Sequence, residues 1–308
     1  MTQLGAGRGA GSTVRAYRFD DDHGEGAVAD EERMDGRVCV VTGATAGIGQ
    51  AAATALARQG ATVVLVARSA ERARRTREAV MGAAGHDRVD VVLADLAVQA
   101  QVRAAAREIL DRYPAVHVLL NNAAVYTRRF ETSPDGIEMQ LAVSHLAPFL
   151  LTSLLLDRLR ASGAARVVTM SSGAHHGARV PWDDLEMRER YSGLRQYANT
   201  KLYNLWMTRE LARRVSAGEV TANAMHPGVV GTALLFGGFA PIRLLKPFLR
   251  TPEQGARTAV WLASSPRVRE VTGGYWQDER PARSSAFSQD ADAARRLWEI
   301  SERMTGLA

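Results

Sequence analysis

From Arg37 the chain runs Arg-Val-Cys-Val-Val-Thr42, turns through Gly43-Ala-Thr-Ala-Gly47-Ile-Gly49, and enters an alanine-rich stretch that Gly60 closes. A short continuous apolar run is what a strand covered on both faces of a parallel sheet looks like. The glycines let the backbone approach a bulky anion, and the helix behind them presents free N–H groups and the positive end of its dipole. Strand, glycine turn and helix in that order point to a parallel α/β sheet with an anion site at one edge, its candidate residues being Gly43, Thr45, Ala46, Gly47 and Ile48.

The same alternation continues downstream. Short apolar strands are expected at 62–66, 89–93, 118–121, 165–170, 220–225 and 274–276, separated by a basic helix carrying Arg72, Arg74, Arg75 and Arg77, helical patterns at 99–112, 136–160 and 252–263, and a helix through Tyr197 that continues to about 215, with a terminal helix at 291–304. This is the βαβ rhythm of a single-domain, doubly wound parallel sheet with right-handed crossovers and helices on both faces. In such sheets functional residues collect at the C-terminal ends of the strands. The glycine turn, Arg68, Asp95-Leu96, Asn121-Asn122-Ala123, Ser171-Ser172 and Pro227-Gly228 all fall there. Residues 1–33 are rich in glycine and charge without periodicity and read as a disordered leader, leaving 34–308 for the domain.

Tyr197 and Lys201 sit four residues apart in a stretch whose apolar spacing, Leu194, Tyr197, Leu202 and Leu205, is helical, so the two share one face. A phenol titrates near pH 10, and bringing it to neutrality takes about 4 kcal/mol. An ammonium about 4 Å away at an effective dielectric of about 20 supplies that much. Of the 39 basic residues only Lys201 and Lys246 are lysines, so a chain that otherwise uses arginine places lysine here.

Composition narrows the classes. The chain is 46% hydrophobic and 23% charged with net charge +6, but its arginines are scattered among acidic residues, so no nucleic-acid stripe forms. Cys39 is the only cysteine, which excludes an internal disulfide framework or a cysteine metal site. The longest apolar stretch, about 146–156, falls short of the eighteen or so residues a bilayer span needs, and the N-terminus lacks a signal-peptide core; a cytoplasmic protein is expected. His175-His176 has no carboxylate pattern around it and reads as polar loop rather than metal site.

Taken together, Thr42-Gly43-x-x-x-Gly47-Ile48-Gly49, Asn121-Asn122-Ala123-Ala124, Ser171-Ser172, Tyr197-x-x-x-Lys201 and Pro227-Gly228 stand in the order of the short-chain dehydrogenase/reductase family, and the chain resembles its retinol-dehydrogenase-like branch. The resemblance implies a Rossmann-type domain. It also implies that Tyr197 exchanges a proton with the substrate oxygen, that Lys201 lowers the tyrosine pKa and holds the cofactor ribose, and that Ser172 bonds the substrate oxygen. Asp95 and Leu96 would meet the adenine edge, Asn122 and Ala123 the ribose region, and Pro227, Gly228 and Thr232 the nicotinamide side. The second strand ends on Arg68 with no acidic residue, which suits a 2′-phosphate and hence NADP(H) over NAD(H).

One position departs from the family. Where its members usually carry Asn in a Val-Asn-His-Leu pattern, this chain reads Val143-Ser144-His145-Leu146, and Ser144 is expected to hold less firmly the water that links the lysine to solvent. The apolar, glycine- and proline-hinged stretch 231–251 reads as a substrate lid, and Pro181-Trp182 as a cleft wall. The expected protein is an NADP(H)-dependent oxidoreductase interconverting an alcohol and a ketone or aldehyde on an apolar small molecule, as a homodimer or homotetramer. The alternative is a nucleotide-sensing or scaffold protein on the same fold with weakened chemistry.

Overall fold

The computed structural model describes residues 33–231 and 249–308. The leader up to residue 32, and most of the 231–251 stretch with Thr232, lie outside the described residues. Strands β1 (Val38–Thr42), β2 (Thr62–Ala67), β3 (Val89–Leu93), β4 (Val118–Asn121), β5 (Ala165–Met170), β6 (Val220–Met225) and β7 (Tyr275–Gln277) form a parallel sheet in the order 3-2-1-4-5-6-7. A two-residue strand β8 (Arg280–Pro281) adds antiparallel to β7. The winding reverses between β1 and β4, where Val41 lies beside Leu120. That reversal opens the crevice in which ligands of such sheets sit.

Helices α1 (Gly47–Arg58), α2 (Ala70–Ala84) and α6 (Pro252–Ser264) cover one face, and α3 (Gln99–Arg112), α4 (Met139–Ala161), α5 (Gly193–Arg214) and α7 (Ala291–Met304) the other. The pleat divides the strand residues between two cores. Cys39, Val41, Val63 and Leu65 pack under α1, α2 and α6, while Val40, Val64, Val66 and Leu119 pack against α3 and α4. Burial pushes the Cys39 thiol up to about 12, so it stays protonated in its core.

Helix α4 differs from its sequence expectation in two ways. It starts at Met139 rather than 136, where the Glu138 side chain caps the first turn. Its first part is also not regular: Ala142–Leu146 widens into a π-turn before α-helix resumes at Ala147. Periodicity cannot announce a π-turn, because one inserted residue leaves the apolar pattern on both sides readable as ordinary helix. At 23 residues this helix is long and apolar enough to cross a membrane, against the expectation from composition, yet 78% of its most apolar window is buried inside the protein.

Candidate functional site

The glycine turn has the shape of an anion cradle. Gly43 and Gly47 adopt positive φ, +63° and +54°, and a Cβ added at Gly43 would sit 2.9 Å from the Ala123 Cα. Thr42, at the end of β1, organises the facing strand: its Oγ1 accepts from the amides of Asn122 at 3.0 Å and Ala123 at 3.1 Å. The Asn122 amide in turn donates to the Thr42 and Gly43 carbonyls. That side chain thereby braces the glycine turn against the end of β4. Helix α1 begins behind the turn with no side-chain cap and no acidic residue in its first turn, so its N–H groups face outward unclaimed by side chains.

At the neighbouring strand ends, Arg68 is exposed just past β2, and Ser69 caps α2. Asp95, after β3, is partly buried and accepts from the Ala97 amide at 2.9 Å, which fixes the turn through Leu96. These positions line one rim of the crevice. They fit an elongated dinucleotide: glycine backbone and helix end for a pyrophosphate, a guanidinium for a further phosphate, and a stiff turn beside the adenine region.

The other rim holds the polar side chains. The two serines after β5 differ: the buried Ser171 Oγ donates to the Lys201 carbonyl at 2.8 Å, bolting β5 to α5, while Ser172 is partly exposed and its hydroxyl is near enough to draw the Tyr197 titration down. The Lys201 Nζ lies 5.4 Å from the Tyr197 ring centre and donates to the Met170 carbonyl at 3.4 Å. Burial dominates both groups. It pushes the Tyr197 phenol up, with Ser172 pulling the other way, and it pulls the Lys201 ammonium down to about 8. For the phenol itself, the loss of water around it on burial is the largest effect.

A short chain dehydrogenase profile matches residues 37–236. Human retinol dehydrogenase 14 is 37% identical over 99% of this chain and 94% of its own length. The chain belongs to the short-chain dehydrogenase/reductase family. Within it, the retinol-dehydrogenase-like branch is its place. A candidate daunorubicin C-13 ketoreductase of Streptomyces sp. (strain C5) is 41% identical over 89% of this chain and 94% of its own. A short chain dehydrogenase of Escherichia coli CFT073 solved in complex with NADPH superposes with a TM-score of 0.68 at 26% identity, over 80% of this chain and 98% of that one.

Ser144 stands where short-chain dehydrogenases usually carry asparagine, and the structure gives its hydroxyl a different task. Wholly buried in the π-turn, Ser144 Oγ accepts from the Val125 amide at 3.1 Å and lies 3.5 Å from the Val125 carbonyl. It pins the loop after β4 instead of reaching Lys201. The partner that shares Lys201's acceptor is Asn204, whose amide donates to the Met170 carbonyl at 3.0 Å. Asn204 Oδ1 is 3.4 Å from Nδ1 of the buried His145, whose Nε2 is 2.9 Å from Ser301 Oγ. Burial holds His145 down to about 4, so this chain from the lysine's acceptor to α7 is neutral at ordinary pH.

Two further features escape sequence reasoning. Glu138 is fully buried, and its carboxylate accepts from the Gln140 and Leu141 amides, the Tyr191 hydroxyl and the Gln196 amide, all at 2.7 to 3.0 Å. An acidic residue just before a helix was the available signal. Trp182 does not wall the cleft: it stacks on Trp206, ring centres 5.6 Å apart, with Arg296 over its other side at 4.4 Å. Trp206 lies nine residues beyond Tyr197, half a turn out of phase, on the far side of α5. Pro227 and Gly228 follow β6; Gly228, at φ +79°, packs against the Arg250 side chain. Among the described residues no group of acidic, histidine or cysteine side chains could hold a metal.

Proposed function

We propose that the protein is an NADP(H)-dependent oxidoreductase that interconverts an alcohol and a ketone or aldehyde on an apolar small molecule. The observation that carries this reading is the convergence of Ser172, Tyr197 and Lys201 on one side of the crevice, opposite the uncapped α1 terminus and its glycine turn. Two relatives are named for reactions of this kind, a retinol dehydrogenase and a daunorubicin C-13 ketoreductase.

The bound nicotinamide would supply or accept the hydride. Gly43, Gly47 and the first amides of α1 would hold its pyrophosphate, and Arg68 its 2′-phosphate. Asp95, Leu96 and Ala123 would border the adenine and ribose, and Pro227 with Gly228 the nicotinamide end. Ser172 and Tyr197 would both bond the substrate oxygen. In the reduction direction Tyr197, kept neutral by burial, is the general acid that hands its proton to the developing alkoxide. Lys201, with a pKa near 8, is poised to return a proton to the phenolate.

The test is single-turnover oxidation of bound NADPH over a panel of apolar aldehydes and ketones. Wild type should consume NADPH with at least one of them, and Tyr197→Phe should be slower by about 1,000-fold. Equal rates for the two proteins would refute the oxidoreductase reading. The nucleotide-sensor alternative rests on Ser144 alone, and that hydroxyl is committed to Val125.

A further inference from the structure

The adjacent pair His175-His176 divides sharply: His176 is exposed, whereas His175 is only 1% exposed. His175 lies in the single 3-10 turn Gly173–Gly177 that follows Ser172. Its Nδ1 is 2.6 Å from the Ser172 carbonyl oxygen and its Nε2 is 3.1 Å from the Ser285 amide nitrogen. A backbone N–H can only donate and a carbonyl can only accept. One form of the ring satisfies both at once, the neutral imidazole with its proton on Nδ1. Tyr275 of β7 stands edge-on to the ring, centres 5.1 Å apart, and fixes its plane.

Ser285 belongs to a serine-rich loop that is itself fastened to α5. Arg209 donates through Nη2 to Ser284 Oγ at 2.9 Å and through Nη1 to Ser288 Oγ at 2.8 Å, and the Trp206 indole donates to the Phe287 carbonyl at 3.2 Å. The loop therefore touches two things at once. It grips the helix that carries Tyr197 and Lys201, and through one imidazole it grips the backbone of Ser172.

We propose that His175 is a positioning residue, a neutral strut between the Ser285 amide and the Ser172 carbonyl that sets the Ser172 hydroxyl relative to the Tyr197 phenol. The proposal rests on the reading that these two hydroxyls share a substrate oxygen. Ser172 Oγ already accepts from the Ala174 amide at 3.2 Å, so its rotamer follows the 3-10 turn, and the turn follows His175. A hydroxyl displaced by a fraction of an ångström still binds substrate but meets the transition state poorly. Burial, reinforced by the nearby His176, Arg209 and His226, holds the imidazole down to about 4 and keeps it neutral at working pH.

Ser285→Pro deletes the donating amide hydrogen at a φ of −60°, a value proline adopts. Ser285→Ala loses the same hydroxyl but keeps the N–H, and serves as its control. Ser285→Pro should have kcat for carbonyl reduction about tenfold or more below Ser285→Ala, and His175→Phe the same deficit against wild type, with NADPH affinity within about twofold. His175→Asn, which retains a donor near the Nδ1 position, should recover part of the loss. A folded His175→Phe with wild-type kcat, or equal kcat for Ser285→Pro and Ser285→Ala, overturns the proposal.

A second readout needs no turnover. Two-bond 1H–15N spectra of histidine-labelled protein, with His175→Asn for assignment, should show Nδ1 protonated and Nε2 bare at pH 7; a protonated Nε2 overturns the strut. A wild type that reduces no carbonyl overturns the oxidoreductase reading instead, and the spectra alone then decide whether His175 braces Ser172.

Discussion

Lys201 Nζ sits 5.4 Å from the centre of the Tyr197 ring, and burial moves the two titrations apart, the phenol up and the ammonium down to about 8. At neutral pH the pair thus meets as a neutral phenol beside an ammonium that gives up its proton more readily than a free lysine does. Once Tyr197 has given its proton away, that ammonium is the stronger acid of the two and can restore it.

The cost of burying Lys201 sets a pH dependence. A folded pKa near 8 against an unfolded value of 10.5 means that between those limits the unfolded chain holds more protons, so this residue's contribution to stability rises with pH there. Below pH 8 the ammonium is a constant burden of about 3 kcal/mol. Lys201→Met should therefore be more stable than wild type at pH 7, by up to that amount, while losing turnover. Denaturant melts should show the gap closing as pH climbs from 8 to 10.5; a gap independent of pH would contradict the assignment.

Gly49 is the tightest point of the cradle. A Cβ there would overlap the Gly43 carbonyl oxygen and the Asn122 amide, neither of which can move without opening the turn. Gly49→Ala should cost about 1–3 kcal/mol and weaken NADPH binding by at least tenfold. Calorimetric melts and fluorescence titration check the two effects separately.

Ser144 should matter for structure before chemistry. Ser144→Ala leaves the half-buried Val125 amide without its acceptor, at about 1 kcal/mol. Ser144→Asn restores the residue the family usually carries but must fit a longer amide into a fully buried position. Unchanged steady-state kinetics in a folded Ser144→Asn would show that the serine puts no brake on turnover.

Arg68 decides cofactor choice in this reading. Arg68→Ala should weaken NADPH by about 10- to 100-fold and leave NADH within about twofold, since only the former carries the 2′-phosphate. Parallel loss of both cofactors would assign Arg68 to the fold instead.

The strand ends were legible because a doubly covered strand must be apolar along its whole length and must stop where polar residues begin, as β1 does at Thr42 and β4 at Asn121. Tyr197 and Lys201 were legible because helical spacing alone puts them on one face. What stayed hidden depended on which way a side chain turns. Asn122 braces the glycine turn; Trp182, expected as a cleft wall, stacks on Trp206; His175, expected as polar loop, is buried. Spacing places a residue along the chain, but its partners here arrive from 80 residues away for Asn122, 24 for Trp182 and 110 for His175. The short strand β8 escaped for another reason, since two residues carry no periodicity at all.

The Glu138 carboxylate has consequences for motion. Among the described residues it pairs with no cation; two of its donors, Tyr191 and Gln196, come from the far side of a seam that closes only when the start of α5 is seated. Lifting that end of the helix takes two of the four donors from a buried carboxyl group, which makes partial opening there costly. Amide hydrogens in the first turns of α5, at the mouth of the cleft and therefore expected to fray, should exchange only with the whole molecule. The Tyr197 end of the site is thereby braced, and adaptation to different substrates is expected from other walls of the crevice.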